Sequence, residues 1–189
     1  IMNRVADVAD EQAVKALFDQ PFDVVVANAG IGRAAKVANT SLELWNSTLA
    51  VTLTGVFLTF REALQDMRPG GRLIAISSVS GLHGEANVAA YSAAKHGVMG
   101  LVRSLAREVE RSGITCNAVC PGWVDTPFNE PFIRQMGGRA AIEAYIADKV
   151  PMGRWASVEE VAETILFLVS DRSSYITGQA IVVDGGETI

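Results

Sequence analysis

The chain has 189 residues, enough for one domain with a real core, and 49% of them are hydrophobic. Its 16 Lys and Arg against 21 Asp and Glu leave a net charge of −5, and no basic cluster argues for nucleic acid. No apolar run is long enough to span a bilayer and no signal peptide is visible, so the expectation is a cytoplasmic protein rather than a membrane one.

In chain order, the opening IMNRVADVAD is expected to hold a strand. VADEQAVKALFDQ then reads as a helix, with Ala13, Val14, Leu17 and Phe18 at i, i+1, i+4 and i+5. FDVVVANAG gives an apolar strand, 23–27, that runs into Asn28-Ala29-Gly30. SLELWNSTLAVTLTGVFLTFREALQDM reads as one long helix. Gly70 and Gly71 make a turn, and LIAIS follows as a short, fully buried strand ending near Ser78.

AAYSAAKHGVMGLVRSLAREVE reads as one amphipathic helix. On it Arg103 and Arg107, continued by Arg111, recur every four residues opposite Leu101, Leu105 and Val109. Those arginines fit a docking face for a carrier protein, or a solvated face interlaced with Glu108 and Glu110; the second is the simpler reading. GITCNAVCPGWVDTP gives a strand over 114–120 that runs into Pro121-Gly122. Ser157 to Glu160 has the form of a capping box opening VEEVAETILFLVSD. AIVVDGG is the last strand. Several strands ending in small-residue loops, with helices between them, predict an α/β protein. Its fold would be a doubly wound parallel sheet, Rossmann-like, in a single domain over 1–189, with a ligand groove along one sheet edge.

Cys116 and Cys120 lie four apart on one predicted strand, hence on one face, and extended geometry holds them too far apart to bridge easily. Buried thiols in a reducing compartment are the simplest reading. His83 and His96 have no metal-ligand companions, so no metal site is expected.

Tyr91 and Lys95, in YSAAK, leave the same helix face. A free phenol titrates near pH 10, and a nearby lysine cation favours the phenolate. Lowering that value to about 7 requires roughly 4 kcal/mol of differential stabilisation. Ser78 sits where a strand ends and a loop begins, the place where open α/β sheets bind ligands. Each residue also has an ordinary reading: a half-buried ring with a solvated tail, and a loop serine bonded to nearby backbone.

Asp7-Val8, Asn28-Ala29-Gly30, Ser78, Tyr91-x-x-x-Lys95 and Pro121-Gly122 with Thr126 occur together in one order. In this the chain resembles the short-chain dehydrogenase/reductase family over essentially its whole length. More weakly, SLAREVERSGIT resembles 3-oxoacyl-carrier-protein reductases, and NAVCPGWVDTP and VPMGRWASVEEVAE resemble bacterial ketoreductases. The resemblance implies hydride transfer between NAD or NADP and a carbonyl or secondary alcohol, with a 3-oxoacyl-type compound or other small ketone as substrate.

It also implies roles for individual residues. Tyr91 is the acid–base group, Ser78 binds the substrate oxygen, and Lys95 lowers the tyrosine pKa and binds the nicotinamide ribose. Pro121, Gly122 and Val124 line the nicotinamide pocket, and Thr126 reaches the carboxamide or pyrophosphate. Asp7 and Val8 meet the adenine, and Asn28, Ala29 and Gly30 the adenosine side. By position, 127–152 resembles the substrate lid, although two ordinary surface helices would fit the same pattern. The long helix beginning near Ser41 and the Tyr91 helix would pair in a dimer, and the last helix and strand would extend it to a tetramer.

Two departures from the family pattern stand out. Its catalytic asparagine follows a tryptophan by seven residues in a string like VNLTG. Here, after Trp45, the string is VTLTG and the position holds Thr52. Family members also open with a strand and a TGxxxGxG turn whose amides hold the pyrophosphate. IMNRVADVAD instead matches the family's third strand, so two βα units of roughly 50–60 residues would be absent. The expectation is that a further N-terminal segment belongs with this chain. A non-catalytic nucleotide-binding or structural member of the fold is the competing reading, favoured by these departures and opposed by the intact Ser78, Tyr91 and Lys95.

Overall fold

The computed structural model describes residues 2–189. Its centre is a parallel sheet of β1 (Val24–Ala27), β2 (Arg72–Ile76), β3 (Thr115–Pro121) and β4 (Ala180–Val183), adjacent in chain order. Parallel neighbours need crossovers, and here these contain all the described helices except the first, which precedes β1. The helices are α1 (Glu11–Lys15), α2 (Leu42–Leu49), α3 (Gly55–Asp66), α4 (Ala89–Glu108), α5 (Glu130–Gln135), α6 (Arg139–Lys149) and α7 (Val158–Val169).

Alternate strand residues go to opposite faces. Val25, Leu73, Ala75, Cys116, Ala118 and Cys120 pack on one face against Val56 and Phe60 of α3 and Val98 and Val102 of α4. Ile74 and Val119 face the other way, against Val161, Ile165 and Leu168 of α7. β2 and β3 are therefore covered on both faces, which is why their sequences read as continuous apolar runs. Both cysteines are buried and free on the α3–α4 face.

Three expectations need correction. No strand forms among the described residues of the chain's opening. A strand requires a hydrogen-bonding neighbour, whereas Met2 and Val5 lie exposed. Val8 instead docks on the start of α3, where a Cβ added to Gly55 would stand 2.8 Å from its Cγ2. The helix after it is short. Asp10 caps it by accepting from the amides of Gln12 and Ala13. Beyond Ala16 the turns tighten, with Leu17 N donating to Val14 O and Phe18 N to Lys15 O, and Phe18 meets Phe22 edge-to-face at 5.6 Å.

The long helix is not uniform. α2 and α3 are joined by one π-helical turn, Ala50–Thr54. Insertions of this kind concentrate at functional sites. On α4, Arg103 and Arg107 are exposed, as is Arg111 beyond it. None forms an ion pair among the described residues, so the face is solvated without being interlaced. The capping box at α7 is formed: Ser157 Oγ accepts from Glu160 N, and the Glu160 carboxylate accepts from Ser157 N.

Phe60 is fully buried between α3 and the sheet. Phe60→Ala should cost about 3–5 kcal/mol, measured by urea unfolding. A loss below about 1 kcal/mol would mean that this face of the sheet repacks freely.

Candidate active site

The C-terminal ends of β1, β2 and β3 open into a groove of about 550 Å³. β1 feeds Asn28-Ala29-Gly30 into its wall, β2 feeds Ser77 and Ser78, and β3 feeds Pro121 and Gly122. Tyr91 and Lys95 enter from the first two turns of α4, and Val124 and Thr126 follow from the loop after β3. Ten of the twelve residues singled out from the sequence thus border one space: Ser78, Tyr91, Lys95, Asn28, Ala29, Gly30, Pro121, Gly122, Val124 and Thr126. Asp7 and Val8 are not among its lining residues. The Asp7 carboxylate caps its own turn, accepting from Ala9 N at 2.9 Å.

Ser78 leaves β2 in extended conformation and caps the short 3-10 turn Val79–Gly81, its Oγ accepting from Ser80 N at 3.2 Å. Lys95 is buried, and its Nζ donates to the Ile76 carbonyl at 2.6 Å. The same Nζ lies 5.5 Å from the centre of the Tyr91 ring. A Cβ added to Gly30 would be 3.7 Å from Nζ and 3.8 Å from Thr52 Oγ1, so these three groups share one corner. At Gly122 a Cβ would stand 2.9 Å from Glu187 Oε2 and from Asp184 Cβ. Only a glycine gives that wall its closeness to the C-terminal segment.

Burial sets the titration of the central pair. It pushes the Tyr91 phenol up to about 12, with the Ser78 hydroxyl pulling it back and Glu85 adding to the rise. It pushes the Lys95 amine down to about 8. The depressed tyrosine expected from the sequence is not what this arrangement gives. The lysine is committed to the Ile76 carbonyl, and loss of water outweighs its attraction for a phenolate.

Thr52 is fully buried in the π-helical turn. Its hydroxyl does not bond back to its own helix. It donates to Ile31 O at 3.2 Å and accepts from Ile31 N at 3.1 Å. One hydroxyl thus satisfies both polar groups of the residue after Gly30. The π turn fixes the β1 loop beside Lys95.

The rest of the groove was less visible in the sequence. Phe128 and Phe132 come from the 3-10 turn Pro127–Asn129 and from α5. Phe128 lies 6.0 Å from Tyr91 and 6.1 Å from Phe132, centre to centre. Their four-residue spacing was the available signal. Glu85 and Glu187 had none, because Glu187 reaches the groove only through folding of β4 beside β3.

Residues 2–188 match a family described as "Enoyl-(Acyl carrier protein) reductase". The chain belongs to the short-chain dehydrogenase/reductase family. It is 42% identical to the cis-4-hydroxycyclohexanecarboxylate dehydrogenase of Sinomonas cyclohexanicum, over 96% of this chain and 74% of that protein. It is 36% identical to a 3-oxoacyl-(acyl-carrier-protein) reductase of Thermotoga maritima, over 98% of this chain and 76% of the other. Among solved structures, a gluconate 5-dehydrogenase from Burkholderia cenocepacia, in complex with NADP and tartrate, superposes with a TM-score of 0.89 at 32% identity. That match covers 96% of this chain and 73% of the other. The chain is an NAD(P)-dependent oxidoreductase acting on carbonyl or alcohol groups.

Two outcomes follow for stability. Thr52→Val strips both Ile31 groups of their partner and should cost about 1–3 kcal/mol by urea unfolding, with Thr52→Ser costing less. Lys95 is held at about 8 in the folded protein, against about 10.4 when unfolded. Below pH 8 the folded state carries the full cost of a buried cation. Between those values the unfolded chain binds the extra proton, so this group makes stability rise with pH. Lys95→Met should therefore be more stable than wild type at pH 7, by at most about 3 kcal/mol. That difference should shrink between about pH 8 and 10.4; a difference independent of pH would contradict the burial argument.

Proposed function

We propose that Ser78, Tyr91 and Lys95 carry the acid–base half of a reversible ketone reduction. The substrate would be a 3-oxoacyl-type compound or another small ketone, or the corresponding secondary alcohol. The observation behind this is their convergence, from β2 and α4, on a groove whose other wall comes from the ends of β1 and β3. That groove also fits NAD or NADP. Its wall at Gly30 comes close to Lys95 Nζ, and Gly122 lets Asp184 and Glu187 of the C-terminal segment close the opposite wall. Asn28, Ala29, Gly30, Lys95, Pro121, Gly122, Val124 and Thr126 would hold the cofactor, which supplies or accepts the hydride.

The remaining work belongs to side chains. With its pKa near 12, Tyr91 holds its proton at neutral pH. Its Oη is therefore in the form that can give a proton to a carbonyl oxygen as negative charge develops there. Ser78 Oγ, beside it, steadies that oxygen by hydrogen bonding. Lys95 carries most of its charge at pH 7, placing a cation behind the phenol as it loses its proton. Phe128 packs against Tyr91 and Phe132 backs Phe128, both from the 127–152 segment, which would serve as a lid that keeps water out. A cytoplasmic homo-oligomer, a dimer or tetramer, is part of the same proposal and rests on the family resemblance alone; no described helix is long and apolar enough to cross a membrane.

Tyr91→Phe should retain the fold and lower turnover by roughly 10²–10⁴. Turnover within about threefold of wild type would remove the phenol from the mechanism. In the reducing direction wild-type turnover should fall as pH rises through about 8, where Lys95 loses its charge. A rate that stays flat to pH 10 would separate Lys95 from the proton transfer.

A further inference from the structure

We infer that the substrate end of this groove selects against carboxylates. It takes compact ketones or alcohols whose remaining polar groups are neutral or cationic hydrogen-bond donors. This rests on the proposed reductase reading of the same groove.

The groove's charged lining consists of Lys95, Glu85 and Glu187. The cation is not free to receive an anion, because its Nζ is buried and donates to the Ile76 carbonyl at 2.6 Å. No basic side chain of the 127–152 segment lines the groove: Arg134 is exposed and absent from its lining, and two others are paired. Arg139 pairs with Asp125 and Glu143, and Lys149 with Asp148. What remains toward the substrate is negative.

Glu187 is the more telling of the two acids. Its Oε1 accepts from Trp123 Nε1 at 2.9 Å. Its Oε2 is shut off from solvent and has no partner, and it lies over Gly122 at the groove wall. A buried acceptor without a donor is costly, and a ligand that brings an N–H or O–H relieves that cost. A carboxylate brings only acceptors and a like charge. Glu85 stands at the rim, where its Oε1 accepts from Ser80 Oγ at 2.9 Å. It adds to the same negative field: burial chiefly, and Glu85 and Asp184 to a lesser degree, push the Glu187 carboxyl up against the pull of the Trp123 hydrogen bond. Around these acids the lining is apolar, with Val79, Val88, Trp123, Phe128 and Phe132. That suits the carbon frame of a small ring and offers an anion no compensation. Like-charge juxtaposition is a common means of rejecting the wrong ligand.

The donor that meets Oε2 could come from the substrate or from the carboxamide of the cofactor, and the test separates them. 4-Oxocyclohexanecarboxamide and 4-oxocyclohexanecarboxylate have nearly the same shape and differ in charge. At pH 7.5 the wild-type protein should reduce the amide with kcat/KM at least about tenfold above the carboxylate. Glu187→Gln combined with Glu85→Gln should bring the two within about threefold, chiefly through the KM of the carboxylate. A carboxylate used as well as the amide by the wild type would overturn the inference. So would a Glu187→Gln variant whose only change is in the KM of the cofactor. If neither compound turns over, calorimetric binding of each decides. Tighter binding of the amide supports charge selection and counts against the reductase reading alone. Equal binding, tighter binding of the carboxylate, or binding of neither overturns the selection itself.

Discussion

The contact on which the site depends is the bond from Lys95 Nζ to the Ile76 carbonyl at the end of β2. An ammonium group taken out of water needs a compensating acceptor, and the last carbonyls of a strand provide one. The same turn of α4 is tied to the same strand end a second time, where Ser77 Oγ donates to Lys95 O at 3.3 Å. Gly81 allows the approach, since a Cβ there would stand 2.6 Å from Ser77 Oγ and 2.9 Å from Lys95 O. Helix and strand end are thus held by both the backbone and the side chain of one residue. Tyr91, one turn earlier on α4, is carried to Ser78 as a consequence.

Thr52 extends this frame to the next strand. A regular α-helix across Ala50–Thr54 would pair every amide within the helix and present side chains on a fixed 100° progression. The π turn breaks that progression. It lets the Thr52 hydroxyl reach across to both polar groups of Ile31. A substitution that looks from the sequence like the loss of an amide's second polar group is, in the fold, a different use of one hydroxyl as donor and acceptor. It fixes Gly30 next to Lys95 and leaves the amine free to serve Ile76.

The sheet was legible because its strands are short apolar runs stopped by glycine, serine or proline, and the pleat then dictates which residues face which helices. Strand boundaries at Val24–Ala27 and Thr115–Pro121 fall within one residue of the pattern. The opening segment was not legible. Whether IMNRVADVAD pairs in a sheet depends on a neighbour, and periodicity says nothing about neighbours. The site divides along the same line. Spacing put Tyr91 and Lys95 on one helix face, the strand end put Ser78 at the groove, and the family resemblance joined them, whereas the titration of the pair could not be read. The sign of the tyrosine shift turns on whether burial or the nearby cation dominates, and that depends on where Nζ points. Glu187 was invisible for a stronger reason: it lies at the far end of the chain, 65 residues from the Gly122 it overhangs.

This division has a functional consequence. The residues proposed for acid–base work stand on α4 and just beyond β2, elements whose buried positions are constrained by the core on both faces of the sheet. Much of the rest of the groove's lining comes from elsewhere: the Glu85 loop, the turn and α5 of 127–152, and the tail beyond β4. The 127–152 segment and the tail meet through Trp123, which lies edge-to-face with Tyr145 at 6.0 Å and with Trp155 at 5.9 Å, and holds Glu187 by its indole N–H. Ile133, Ile142 and Ile146 give them a small core of their own. Because that core is separate from the two that flank the sheet, the chemistry of the groove's outer wall can differ among relatives while the geometry at Tyr91 stays fixed. Proteins of this fold can therefore share one reaction and differ in substrate, and here the outer wall is acidic.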